Sequence, residues 1–132
     1  EVFKGESEKF LIDNLKNPEI KMTSSGLQYM ILKEGSGDHP KAESTVKVHY
    51  HGTTIEGKVF DSSVDRGEPI EFPLNQVIKG WTEGLQLMAV GSKFKFFIPQ
   101  ELAYGAQSPS PEIKPYSTLI FEVELLSFED PK

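Results

Sequence analysis

The chain has 132 residues, enough for one hydrophobic core and too few for two full domains. Its formal net charge of -6 and the absence of any Lys or Arg cluster argue against a nucleic-acid or anionic-membrane partner, because phosphate binding relies on concentrated cations. It contains no cysteine, which excludes disulfide frameworks, thiolate nucleophiles and thiolate metal sites.

From Val2 to about Lys16, Phe3, Phe10, Leu11 and Leu15 recur near the helical period among charged residues, which predicts a short amphipathic helix. Asn17-Pro18 stops it, since the residue before proline is pushed out of the α region. The segment opens without a cap and carries more apolar surface than one helix can hide. Residues 1–22 are therefore expected to be a helix and linker, the end of a longer helix, ahead of a domain over 23–132.

Beyond Gly26 the texture turns to short β-branched and aromatic runs separated by Gly, Pro, Asp and Ser. Val46, Val48 and Tyr50 alternate with Lys47, His49 and His51, which gives one buried and one wet face. Phe94, Phe96 and Ile98 alternate with Lys93 and Lys95, and Leu119, Phe121, Val123 and Leu125 with Glu122 and Glu124. Less regular strands are expected over 26–34 and 58–62, and a short edge strand over 69–74, where proline cannot donate to a ladder. Val77, Trp81, Leu85 and Met88 recur at helical spacing instead, with Asn75 as the expected N-cap. Gly80 and Gly84 would each cost about 1 kcal/mol in an open helix, so something must pack close to that backbone. The fold class is α+β: an antiparallel sheet curled over one short helix, with a peripheral N-terminal helix.

His39, His49 and His51 invite a metal reading, but zinc needs three or four convergent ligands and neither a thiol nor a helical His pair is on offer. No metal and no cofactor are expected. The loop Gly35-Ser36-Gly37-Asp38-His39-Pro40 leads to proline and a strand instead of opening a helix, so it reads as a turn and not as a phosphate cradle. No nucleophile elbow is present. What stands out is aromatic and aliphatic bulk near turns and element ends: Tyr50, Phe60 beside Asp61, Val77-Ile78, Trp81, Tyr104 and Phe121.

The ordered strings Val46-Lys-Val-His-Tyr-His-Gly52, Gly57-Lys-Val-Phe-Asp-Ser-Ser63, Val77-Ile-Lys-Gly-Trp81, Leu102-Ala-Tyr-Gly-Ala106 and Thr118-Leu-Ile-Phe-Glu-Val-Glu-Leu125 resemble the FKBP-type peptidyl-prolyl cis/trans isomerases, over about Gly26 to Phe128. Phe10-Leu11, Asn14 and Ser25-Gly-Leu-Gln-Tyr29 look like the lead-in of the macrophage infectivity potentiator (Mip) branch. The resemblance implies a half-barrel sheet wrapped on the Trp81 helix, a pocket between them, and rotation about X-Pro bonds in polypeptide substrates. It implies that Trp81 floors the pocket and that Tyr50, Phe60, Val77, Ile78 and Phe121 wall it, with Ile70, Phe72 and Ile113 as further binding positions. Asp61 and Tyr104 match the polar positions, Arg66 the residue that steadies the aspartate, and the Ile78 N–H a donor to the ligand.

Two departures lie at the rim. Ile70 stands where many members carry phenylalanine, and the 107–116 loop, with Pro109, Pro111, Glu112 and Lys114, is unusually charged and proline-rich. Macrolide ligands of the rapamycin kind are also implied, with affinity set by that rim. A monomer is expected for this span, a dimer through a longer N-terminal helix, and a bacterial periplasmic, outer-membrane or secreted location ahead of a cytoplasmic one. A non-catalytic binding module and a folding chaperone would use the same fold; the presence of Asp61, Trp81 and Tyr104 favours turnover.

Overall fold

The computed structural model describes residues 2–105, 107, 113 and 116–130, with side chains from residue 5 onward. Phe3, Pro109, Pro111, Glu112 and Lys114 lie outside the side chains described. In chain order the elements are helix α1 (Val2–Asn14), strands β1 (Lys21–Met22), β2 (Gln28–Lys33), β3 (Thr45–Thr54) and β4 (Val59–Ser62), and helix α2 (Ser63–Arg66). Strand β5 (Ile70–Pro73), a 3₁₀ turn (Leu74–Gln76), helix α3 (Lys79–Leu85), strand β6 (Lys93–Ile98), a second 3₁₀ turn (Gln100–Leu102) and strand β7 (Leu119–Glu129) follow. All pairings are antiparallel, in the order β1-β2-β6-β7-β3-β4, with β5 also on β3.

The alternation expected of β3, β6 and β7 is present: Val46, Val48, Tyr50, Phe94, Phe96, Ile98, Leu119, Phe121, Val123 and Leu125 are buried on the inner face. Helix α3 lies across that face, and its glycines explain how closely. A Cβ at Gly80 would come within 2.5 Å of Ile98 Cγ2, and one at Gly84 within 2.7 Å of Phe96 Cε1. No larger residue fits without moving the helix off β6, which justifies the loss of helix propensity.

The helix is shorter than its periodicity suggests, and its start differs. Asn75 belongs to the 3₁₀ turn, Val77 is extended, and Ile78 occupies the N-cap without a side-chain cap. Packing replaces the cap: the Thr82 hydroxyl donates to the Leu74 carbonyl at 2.7 Å and ties the first turn to the preceding loop. Met88 is buried beyond the helix end.

Strand β3 carries β7 along one edge, and its other edge is divided between two partners. Strand β5 pairs with residues 45–48 and β4 with residues 51–53. At the gap the Tyr50 N–H donates to Ser63 Oγ at 2.7 Å, so a hydroxyl takes the place of a strand carbonyl. Ser62 caps α2 by accepting from the Asp65 N–H, and Gly67 closes the helix in the left-handed region with φ 81°.

Helix α1 ends at Asn14 and packs on the outer face through few groups. Phe10 meets Phe97 at 6.1 Å between ring centroids, Asn14 donates to Gln28 Oε1 at 2.8 Å, and Gln28 donates to the Leu11 carbonyl at 2.9 Å. Its apolar residues do not form one buried stripe: Ile12 is exposed, as is Leu15 just past the helix end, whereas Ser7 is buried. Strand β1 continues the sheet past β2, so residues 21–22 share in the sheet.

Candidate active site

The divided edge of β3 leaves a cleft of about 540 Å³ between the sheet and the start of α3. Trp81, the third residue of α3, is 5% exposed at its base. Three rings stand nearly perpendicular to the indole: Tyr50 from β3 at 5.4 Å, Phe72 from β5 at 5.5 Å and Phe121 from β7 at 5.2 Å. Edge-to-face contacts of this kind favour a fixed geometry over a collapsed stack. Ile70, Val77 and Ile78 complete the apolar lining.

Asp61, Arg66 and Tyr104 supply most of the polar rim. The Tyr50 hydroxyl donates to Asp61 Oδ2 at 2.6 Å, Arg66 Nη1 donates to Oδ1 at 2.6 Å, and Arg66 Nη2 donates to the Tyr50 hydroxyl at 3.2 Å. Both carboxylate oxygens are therefore engaged and aimed. Burial pushes the Asp61 carboxyl up, but the hydrogen bonds from Tyr50 and Arg66 outweigh it and hold the group below the ordinary carboxylate value. Burial raises Tyr50, and its bond to the Asp61 carboxylate raises it further. Tyr104 is raised by burial and then by the negative charge of Asp61. The site thus keeps one fixed anion beside two neutral phenols.

Of the residues singled out from sequence, Tyr50, Asp61, Arg66, Ile70, Phe72, Val77, Ile78, Trp81, Tyr104 and Phe121 come together in this cleft. Phe60 stands behind it, edge-on to Phe121 at 5.4 Å, outside the lining. Ile113 is 4% exposed in the hydrophobic core and is also outside the lining. Gln76 lines the cleft although sequence reasoning passed over it, as a polar residue in a turn carries no periodic signal. The Ile78 N–H has no acceptor among the described residues, which leaves it available at the cleft wall.

His49 and His51 are half-buried on the outer face, each with Nδ1 on a serine hydroxyl, Ser63 at 3.0 Å and Ser62 at 2.9 Å. Among the described residues no three His, Asp or Glu side chains are grouped as a cation site.

The family model for FKBP-type peptidyl-prolyl cis-trans isomerases matches residues 37–126. The chain belongs to that family. It is 58% identical over 124 residues to the FKBP-type isomerase FkpA of Aeromonas hydrophila, covering 94% of this chain and 46% of that protein. It is 47% identical over 124 residues to the outer membrane protein MIP of Legionella longbeachae, covering 94% and 53%. The crystal structure of FkpA from Escherichia coli superposes with a TM-score of 0.90 at 45% identity, covering 96% of this chain and 59% of that one. This FKBP chain thus spans about half the length of the curated relatives it matches. The likeness to MIP accords with the Mip-like lead-in around residues 10–29.

Proposed function

We propose that the cleft catalyses cis/trans rotation about X-Pro bonds in polypeptide substrates and so assists folding. The observation that carries this is a small apolar cleft, based on Trp81 and walled by three perpendicular rings, with a fixed anion at its rim. Nothing in it is suited to breaking a bond, and this reaction breaks none.

The barrier to be lowered is ~18–20 kcal/mol, because amide resonance holds the bond planar. A turnover of about 10–1,000 per second requires roughly 4–7 kcal/mol less, at tenfold per 1.36 kcal/mol. Twisting the amide removes its resonance and reduces the charge separation between oxygen and nitrogen. The twisted form therefore loses less than the planar form on leaving water, and an apolar cleft binds it preferentially. In this reading Trp81 receives the proline ring, and Tyr50, Phe72 and Phe121 hold it. The Ile78 N–H and the Tyr104 hydroxyl fix the substrate backbone while the preceding carbonyl swings near Asp61. Arg66 and the Tyr50 hydroxyl act as positioning groups for Asp61.

The same cleft accepts rapamycin-like macrolides, with Ile70 contributing an aliphatic contact at the rim. Residues 23–132 form the isomerase domain, joined at its sheet edge by strand β1 (Lys21–Met22), and helix α1 (Val2–Asn14) offers a dimer contact. A bacterial envelope location is the corresponding reading of the likeness to an outer membrane protein. Line-shape or exchange NMR on a short X-Pro peptide tests the activity. Exchange should accelerate with the wild-type chain and not with Trp81→Ala; no acceleration by the wild type would overturn the assignment.

A further inference from the structure

A second, more open groove of about 820 Å³ lies on the other side of Val77 from the proline cleft. Val77 is shared by the two, so a chain leaving the first crosses it directly into the second. Leu102 supplies apolar surface there, and Asn75, Lys79, Thr82, Glu83 and Gln86 supply polar groups.

Most of these polar groups are already committed. The Thr82 hydroxyl donates to the Leu74 carbonyl, Gln86 Nε2 donates to the Thr82 carbonyl at 2.8 Å, and the Glu83 carboxylate accepts from the Ser25 hydroxyl. Lys79 is exposed and takes no carboxylate partner among the described residues. Among the described residues it is the only cation lining the groove.

We propose that this groove is a subsite for the stretch of substrate polypeptide flanking the proline, and that Lys79 makes it select acidic side chains there. The proposal rests on the isomerase reading and adds to it a substrate class: X-Pro sites with Asp or Glu roughly two to four residues away, the reach of an extended chain at about 3.3–3.6 Å per residue. Glu83 also lines the groove, but its carboxylate takes the Ser25 hydroxyl and makes no ion pair with Lys79 among the described residues, which leaves the ammonium free for a substrate acid.

The test compares three peptides with one X-Pro core: the core tetrapeptide alone, and longer forms carrying either glutamate or lysine at those flanking positions on both sides. Wild-type kcat/KM, read by NMR exchange, should favour the glutamate peptide over the lysine peptide by about two- to fivefold, the strength of an exposed ion pair. Raising the salt should erase the preference. Lys79→Glu should reverse it and leave the core tetrapeptide unchanged. This variant should fold normally, since an acid is favourable in the first turn of a helix. An unaltered glutamate-to-lysine ratio in Lys79→Glu, with core turnover intact, would remove the subsite alone. Failure of the wild type to turn over the core tetrapeptide would remove the isomerase reading and the subsite with it.

Discussion

On the inner face of the sheet Trp81 meets three rings at right angles and the packing stops short of closing, whereas on the outer face Phe97 meets, among the described residues, the single ring of Phe10. Both faces come from the same strands. Around Phe97 the outer face is polar, with Lys95 and His51 both paired to Glu122, and Lys93 and His49 both paired to Glu124. The inner aromatics serve both as core and as walls of a cleft, so losing one costs stability and binding together. An aromatic on the outer face serves packing alone.

The largest expected effect follows from that double role. Trp81→Ala should abolish isomerase turnover and also lower stability by about 3–5 kcal/mol, measured by chemical denaturation, because a buried aromatic disappears from core and cleft at once. Turnover surviving in a folded Trp81→Ala chain would break the comparison. The counterpart is Phe97→Ala, which should cost about 3 kcal/mol of stability and leave kcat/KM for a short peptide close to wild type. A loss of turnover as deep as that of Trp81→Ala would mean that the two faces are coupled.

These two faces were unequally legible in the amino-acid sequence. Period-two alternation places Val46, Val48 and Tyr50 inward whatever the partner strands are, and the same rule works for β6 and β7. Phe97 breaks the alternation of β6, and its neighbour on β2, Gln28, is a buried polar residue. Only the docking of α1, through side chains far away in sequence, makes sense of both. The divided edge of β3 was hidden for a related reason. It depends on Ser62 and Ser63 hydroxyls doing the work of backbone groups, and a serine in a turn gives no sign of which backbone group it will serve. The start of α3 departs from the local signal because Asn75 has the chemistry of a cap, while the tertiary bond from Thr82 secures the helix instead. The aromatic site residues were recognisable from ordered motifs; the Tyr50–Asp61–Arg66 hydrogen bonds that aim the carboxylate needed the folded geometry.

A smaller effect sharpens the description of the rim. Ile70 pairs with Val48 across the β3–β5 ladder and is half-buried at the cleft mouth. Ile70→Phe should tighten macrolide binding by about 0.5–1.5 kcal/mol through one added aromatic contact, read by calorimetry. A weakened or unchanged dissociation constant would count against Ile70 as a macrolide-contacting position of the rim.

The smallest expected effect is no effect at all, and it separates desolvation from proton transfer. Asp61 is held below the ordinary carboxylate value of ~3.9, while Tyr50 and Tyr104 are pushed above the phenol value of ~10. Every shift therefore moves a site group away from neutrality. The lowered Asp61 contributes stability that is present above ~3.9 and is lost as pH falls through its folded value; its half-exposed ion pair with Arg66 keeps that contribution small. The raised phenols contribute stability that is present below ~10 and is lost as pH rises through their folded values. Between about pH 5.5 and 8.5 neither loss operates and no cleft group changes charge, so turnover by NMR exchange should be flat. General acid–base catalysis by the imidazoles of His49 or His51 would instead make turnover depend on pH within that window. Those imidazoles lie on the outer face against Ser63 and Ser62, on the far side of the sheet from Trp81. A tenfold inflection in the folded chain would thus refute catalysis by desolvation and positioning alone.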